Sequence, residues 1–178
     1  MVVKENELCF LNKAGNLEKI VELPLEDMSI ATGHEVIYLF NQSSKINHKL
    51  YAYTKGGKYK QLLQSPKPIS AIVELKNSLY IAIESAVFSF SSEVDNLNLI
   101  TAFQKENKII SMTADSDNQI LYISTLEGIY ALQNESLVYL TSDFKANIIK
   151  YFKGGLIAFN PEKKDIVRVV NINKSIKF

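Results

Sequence analysis

Cysteine is nearly missing from this chain: Cys9 is the one thiol among 178 residues. A single thiol closes no intrachain disulfide and builds no cysteine-based zinc site, and Cys9 is read as a small buried core residue. An excess of either charge is missing too. Lys plus Arg is 20 against 19 Asp plus Glu, a net charge of +1. The basic surplus needed to neutralise phosphates is absent, so no nucleic-acid partner is expected. No apolar run approaches the roughly 18 residues of a membrane helix, so no membrane span is expected. Residues 1–6 show none of the basic, apolar and cleavage regions of a secretory leader, and the compartment stays undetermined on composition. Histidine is scarce. His34 and His48, without a neighbouring cysteine or a clear acidic partner, fall short of a zinc site. No serine stands in a nucleophile-elbow sequence. No metal and no cofactor is expected.

What is present is a repeat. Leu79-Tyr80-Ile81-Ala82-Ile83 and Leu121-Tyr122-Ile123-Ser124-Thr125 are one strand pattern written twice, with Tyr80 and Tyr122 42 residues apart, and the same step back lands on Tyr38. Short segments rich in β-branched and aromatic residues surround these strands, separated by turn residues. No stretch shows a helical apolar stripe. Hydrophobic residues make up 47% of the chain, enough for a packed core. A period in the forties holding four short strands predicts an all-β, propeller-like array. Four-stranded antiparallel blades are expected over 28–63, 69–103, 109–140 and 147–178, within one domain of residues 1–178. Their first strands start near Met28, Ile69, Ile109 and Asn147. A hairpin over 7–21 reads as the third and fourth strands of a half blade whose first two strands are missing. A free sheet edge is a liability that folded proteins cover or pair. The hairpin is therefore expected to complete the 147–178 sheet in a closed ring, or to pair with another chain in an oligomer.

Lys76-Asn77, Asp117-Asn118 and Gly154-Gly155 fall between first and second strands, where tight hairpins favour residues tolerant of positive φ. Asp115-Ser116-Asp117-Asn118-Gln119 has the opening look of a calcium loop but lacks its central glycine, and Leu126 stands in place of the bidentate glutamate. The hairpin reading explains these residues without a metal. The repeated aromatics Tyr38, Tyr51, Tyr53, Tyr80, Phe88, Phe90, Tyr122 and Tyr130 are read as packing between neighbouring sheets, with Tyr80 and Tyr122 equivalent and buried.

The segment from Lys108 to Tyr130 resembles the two-component-regulator propeller repeat. It keeps Asp115, Asp117, Leu121, Ile123, Thr125, Gly128 and Tyr130, with Tyr122 in place of that repeat's tryptophan and Ser124 in place of its glycine. The match is clear in this blade and looser in the others. The resemblance implies a sensor portion of a bacterial signalling protein or a surface or secretion-associated protein, and with it a periplasmic or extracellular setting.

Propellers bind through loops at one end of the ring, here those joining second to third and fourth to first strands. The binding-loop candidates on them are Lys45, His48, Lys67, Glu84, Lys105 and Glu127. Residues 41–48 form the longest loop, and long loops on a rigid scaffold tend to carry function. The function expected is a non-enzymatic recognition or scaffold module, with a protein or carbohydrate ligand at that end. The alternative is a carbohydrate-active hydrolase or lyase with a central pocket. Such chemistry needs two carboxylates facing one bond, for which Glu84 and Glu127 hold equivalent positions in adjacent blades.

Overall fold

A computed structural model of the chain describes residues 1–25, 28–41, 48–54, 56–91, 96–141, 148–160 and 164–170. It is all-β. Its residues cluster into two compact units, Met1–Ile69 and Ser70–Phe178.

The first unit begins with a three-stranded antiparallel sheet: β1 (Val2–Lys4), β2 (Glu7–Leu11) and β3 (Leu17–Glu22). The hairpin predicted over 7–21 is therefore not two-stranded. Val2–Lys4 pairs along Glu7–Cys9, a strand too short to show an apolar period in the sequence. A four-stranded meander follows, β4 (Met28–Thr32), β5 (Val36–Asn41), β6 (His48–Thr54) and β7 (Tyr59–Ser65). In β6, His48, Leu50 and Ala52 are buried while Lys49, Tyr51 and Tyr53 are half-buried. That alternation is the two-residue period of a strand whose faces meet different surroundings. Leu8 and Leu23 join Met28 and Leu39 in one core cluster, which seats the N-terminal sheet on the β4–β7 sheet. The hydroxyl of Tyr59 on β7 also donates to the Glu22 carbonyl at 2.6 Å.

The second unit contains three sheets. The first runs β8 (Ile69–Leu75), β9 (Ser78–Ile83), β10 (Ala86–Ser91) and β11 (Asn96–Ala102). The second runs β12 (Ile109–Asp115), β13 (Ile120–Thr125), β14 (Ile129–Gln133) and β15 (Ser136–Thr141). The last has three described strands, β16 (Ile148–Phe152), β17 (Gly155–Asn160) and β18 (Asp165–Val170). The expected strand over 175–178 lies outside the described residues, as does Asn147.

Every residue of β13 is buried. Leu121 and Ile123 enter a cluster with Ala71, Ala82 and Val87 of the preceding sheet. Ile120 and Tyr122 enter another with Ile149, Leu156 and Ala158 of the following one. One strand thus has a sheet against each face, and each such side chain contributes on the order of 1.5–3 kcal/mol by leaving water. β16 runs beside β12: the Ile149 amide donates to Ser111 Oγ at 3.3 Å and the Tyr151 amide to Thr113 Oγ1 at 3.1 Å. The fourth strands β7, β11 and β15 are exposed or half-buried at every position but Ser65, and Leu99, Leu137 and Tyr139 are among their exposed residues.

The 42-residue equivalence of the tyrosines does not extend to burial. Tyr38 and Tyr122 are buried, but Tyr80 is half-buried. Cys9 is buried as expected.

Candidate functional site

In the first unit, the loop end of the β4–β7 sheet rests on buried polar side chains. Asn41 closes β5 and is almost wholly buried, and its Oδ1 accepts the Lys49 amide at 2.7 Å. His48 belongs to β6 rather than to the loop, where its register partner is Ser65. Its ring is buried, and Nδ1 lies 3.3 Å from the Asn41 carbonyl. A carbonyl can only accept, so Nδ1 carries the proton. His48 is thus a fastener between two strand ends, buried in β6 rather than carried on the loop. A short strand flanked by polar residues is hard to tell from a loop in sequence. Ser65 Oγ accepts the Lys67 amide at 3.1 Å, and the Lys67 side chain is exposed. Lys45 lies outside the described residues.

In the second unit, the equivalent end brings the loops of Glu84, Lys105 and Glu127 together through the segment between β11 and β12. The Ile109 amide donates to the Glu84 carbonyl at 2.8 Å, and the Leu126 amide to the Lys108 carbonyl at 3.1 Å. Asn107 is 2% exposed, and its Oδ1 accepts the Glu127 amide at 3.1 Å. The Asn107 amide in turn donates to the Gln104 carbonyl at 2.9 Å, closing the turn that carries Lys105. Thr125, fully buried, accepts the Glu127 and Gly128 amides on Oγ1 and donates to the Gly128 carbonyl. Gly128 is required by space: a Cβ there would lie 2.4 Å from the Thr141 carbonyl oxygen and 2.9 Å from Tyr139 Cε2. Lys105 and Glu127 are exposed on this scaffold and Glu84 is half-buried, with positive φ of 52°.

Asn107 and Thr125 are the residues that sequence reasoning left out of the site. Each is a small polar residue at the edge of an apolar strand, a common pattern that singles out neither. The acidic hairpin behaves as a local cap. Asp115 is buried, and its carboxylate accepts the Asp117 and Asn118 amides and the Asn118 side chain at 2.7 Å. Burial alone would push its pKa up; hydrogen bonds from the Asn118 side chain, the Tyr151 side chain and the two amides outweigh that and hold it below the usual carboxylate range.

The opposite, hairpin end of the sheets carries clefts. One of about 380 Å³ in the first unit is lined by Ile20, His34, Val36 and Tyr53, among others. One of about 230 Å³ in the second unit lies between the β8–β11 and β12–β15 sheets, with Lys76, Tyr80, Gln119 and Glu135 on its walls. Neither Glu84 nor Glu127 lines either cleft.

No protein-family model matches the chain, and no curated protein matches it. Solved structures do. The chain is similar to the extracellular domain of BT4673 from B. thetaiotaomicron, described as a one component system, at 19% identity and a TM-score of 0.65, covering 92% of this chain and 25% of that one. A second structure of that extracellular domain, described as part of a hybrid two component system, matches at 20% identity and a TM-score of 0.58, covering 93% and 24%. A chain of a nidogen/laminin complex matches at 12% identity and a TM-score of 0.74, covering 89% of this chain and 65% of that one. This chain therefore spans about a quarter of the BT4673 chains it matches. Likeness at these identities shows the fold: an all-β, propeller-like array of antiparallel sheets. Among the described residues, no helix is long and apolar enough to cross a membrane.

Proposed function

We propose that residues 1–178 act as one non-enzymatic, propeller-like recognition module related to the two-component-regulator repeat. In this reading it works in a periplasmic or extracellular sensor or surface protein and takes a protein or carbohydrate ligand on its loop end. The observation that carries it is the construction of that end. Buried Asn107 and Thr125 fasten the loop of Glu127 through its own amide, and the Glu84 loop is tied to Ile109. Fixed loops with exposed charged side chains suit recognition, because little conformational entropy is lost when a ligand binds. The likeness to sensor extracellular domains supports the setting through the fold. A glycoside hydrolase would need two convergent carboxylates in a sheltered site. Glu127 is exposed, Glu84 is half-buried and neither lines either of the two clefts, which does not favour that alternative.

The test is amide NMR of the whole chain against a panel of oligosaccharides and extended peptides. The responding amides should cluster at 84–85, 104–108 and 126–128. Release of new reducing ends from an oligosaccharide, lost on Glu84→Gln or Glu127→Gln, would establish the enzyme instead.

A further inference from the structure

The cleft between the β8–β11 and β12–β15 sheets lies at the hairpin end, away from the loops of the proposed recognition surface. We infer that it binds a small zwitterion with an apolar body, an amino acid of the leucine or phenylalanine type. Three features point to that chemistry. The first is the floor: buried Leu75, Leu121 and Leu132 line a cavity of about 230 Å³. Sites for drug-sized ligands run to roughly 300–1,000 Å³, so this volume suits one small molecule rather than a chain. An aliphatic floor favours an alkyl or aryl side chain over a hydroxylated ring.

The second is charge. Lys76 and Glu135 both line the cleft, one on the hairpin joining β8 to β9 and the other on the hairpin joining β14 to β15. A carboxylate finds its counter-ion at Lys76 and an ammonium finds its own at Glu135. Both side chains are exposed, so these attractions act through solvent and weaken with salt. Gln119 and Gln133 spend their side-chain NH₂ groups on the Ser116 and Asn118 carbonyls, each at 2.5 Å. Both residues line the cleft, and an amide oxygen is an acceptor that suits a ligand's ammonium. The turns that present these residues are held in defined shapes, with positive φ at Lys76 (56°), Gln119 (60°) and Glu135 (67°).

The third is Tyr80. Its repeat equivalent Tyr122 is fully buried and stacked on Tyr151. One sheet earlier the place matching Tyr151 is held by Thr113, and among the described residues Tyr80 belongs to no ring pair. The half-buried ring packs against the core cluster of Leu75, Leu121 and Leu132 and also forms part of the cleft wall, where an apolar side chain can meet it.

The test uses the whole ¹⁵N-labelled chain titrated with L-leucine and L-phenylalanine, and separately with L-leucinamide, N-acetyl-L-leucine and D-glucose. The expected result is saturable binding with a Kd of about 1 mM or tighter, read from amides at 76–80, 119–121 and 132–135, and weakened about tenfold by blocking either end of the amino acid. Lys76→Gln and Glu135→Gln should each weaken it by a similar factor at unchanged melting temperature. Failure to saturate with either amino acid overturns the inference. So does equal binding of the blocked analogues, indifference to both substitutions, or D-glucose binding as tightly at the same amides. A response at the loop end alone also overturns it while leaving the recognition reading intact.

Discussion

Tyr122 and Tyr151 stack with ring centroids 5.7 Å apart and planes 15° from parallel. The pair joins the β12–β15 sheet to the β16–β18 sheet. The two hydroxyls are treated differently. That of Tyr151 bonds to the buried carboxylate of Asp115. That of Tyr122 is buried with no hydrogen-bond partner among the described residues. Burial pushes the Tyr122 phenol well up, and the nearby charge of Asp115 adds to it.

An unpaired buried hydroxyl costs its desolvation, so its removal should be nearly free. Tyr122→Phe is expected to change stability by less than about 1 kcal/mol, with a gain more natural than a loss. Tyr122→Ala should cost on the order of 3–5 kcal/mol as a large aromatic core deletion. Half-buried Tyr80→Ala should cost roughly 1–2 kcal/mol, inside the ordinary range for point substitutions. Urea unfolding of the three variants checks the order, and equal losses at Tyr80 and Tyr122 would restore the equivalence suggested by the repeat.

Gly128→Ala should destabilise by about 1–3 kcal/mol through overpacking, since the added Cβ meets a carbonyl oxygen that the strand holds in place. Calorimetry reads this directly. A neutral result would mean that β15 yields at Thr141.

The pH response separates two tyrosine- and carboxylate-based anchors. Asp115 has a lowered folded pKa, so its stabilisation is complete above the ordinary aspartate range and is lost as pH falls through the folded value. Asp115→Asn should flatten that acid limb. Tyr59 is pushed up to about 12, first by burial and then by neighbouring Tyr53. Its contribution is complete below the ordinary tyrosine value of 10.0 and is lost as pH rises through about 12. Tyr59→Phe should therefore lessen the alkaline limb and leave the acid limb unchanged, with Tyr122 keeping the rest of the alkaline response. Melting temperature against pH for both variants distinguishes the two limbs.

Deleting residues 1–22 removes Leu8 from the cluster with Met28 and Leu39 and takes away the acceptor of the Tyr59 hydroxyl. The melting temperature should fall. Light scattering on the same samples shows whether the N-terminal sheet also pairs with another polypeptide, in which case an oligomer becomes a monomer. Unchanged melting and mass would make that sheet a mere appendage.

The strands were legible because apolar period and turn chemistry agree in this chain. Met28, Ile69 and Ile109 begin β4, β8 and β12 at the positions their patterns predict. Val2–Lys4 was not legible, since three residues carry too little period to stand out. Tyr80 shows a different limit: a repeat assigns a residue to a strand and a face, whereas burial depends on what the neighbouring sheet places opposite. Asn107 and the cleft of Lys76 and Glu135 depend on distant segments meeting, and no local pattern encodes that.

Hydrogen exchange at the amides of Ile109, Leu126 and Glu127 tests the rigid loop end most directly. These three amides donate to Glu84, Lys108 and Asn107. If the loops are a fixed recognition scaffold, they exchange as slowly as amides inside β13, and Asn107→Ala accelerates Glu127 alone among them. Exchange of all three at the rate of an open loop, unaffected by Asn107→Ala, would contradict the account.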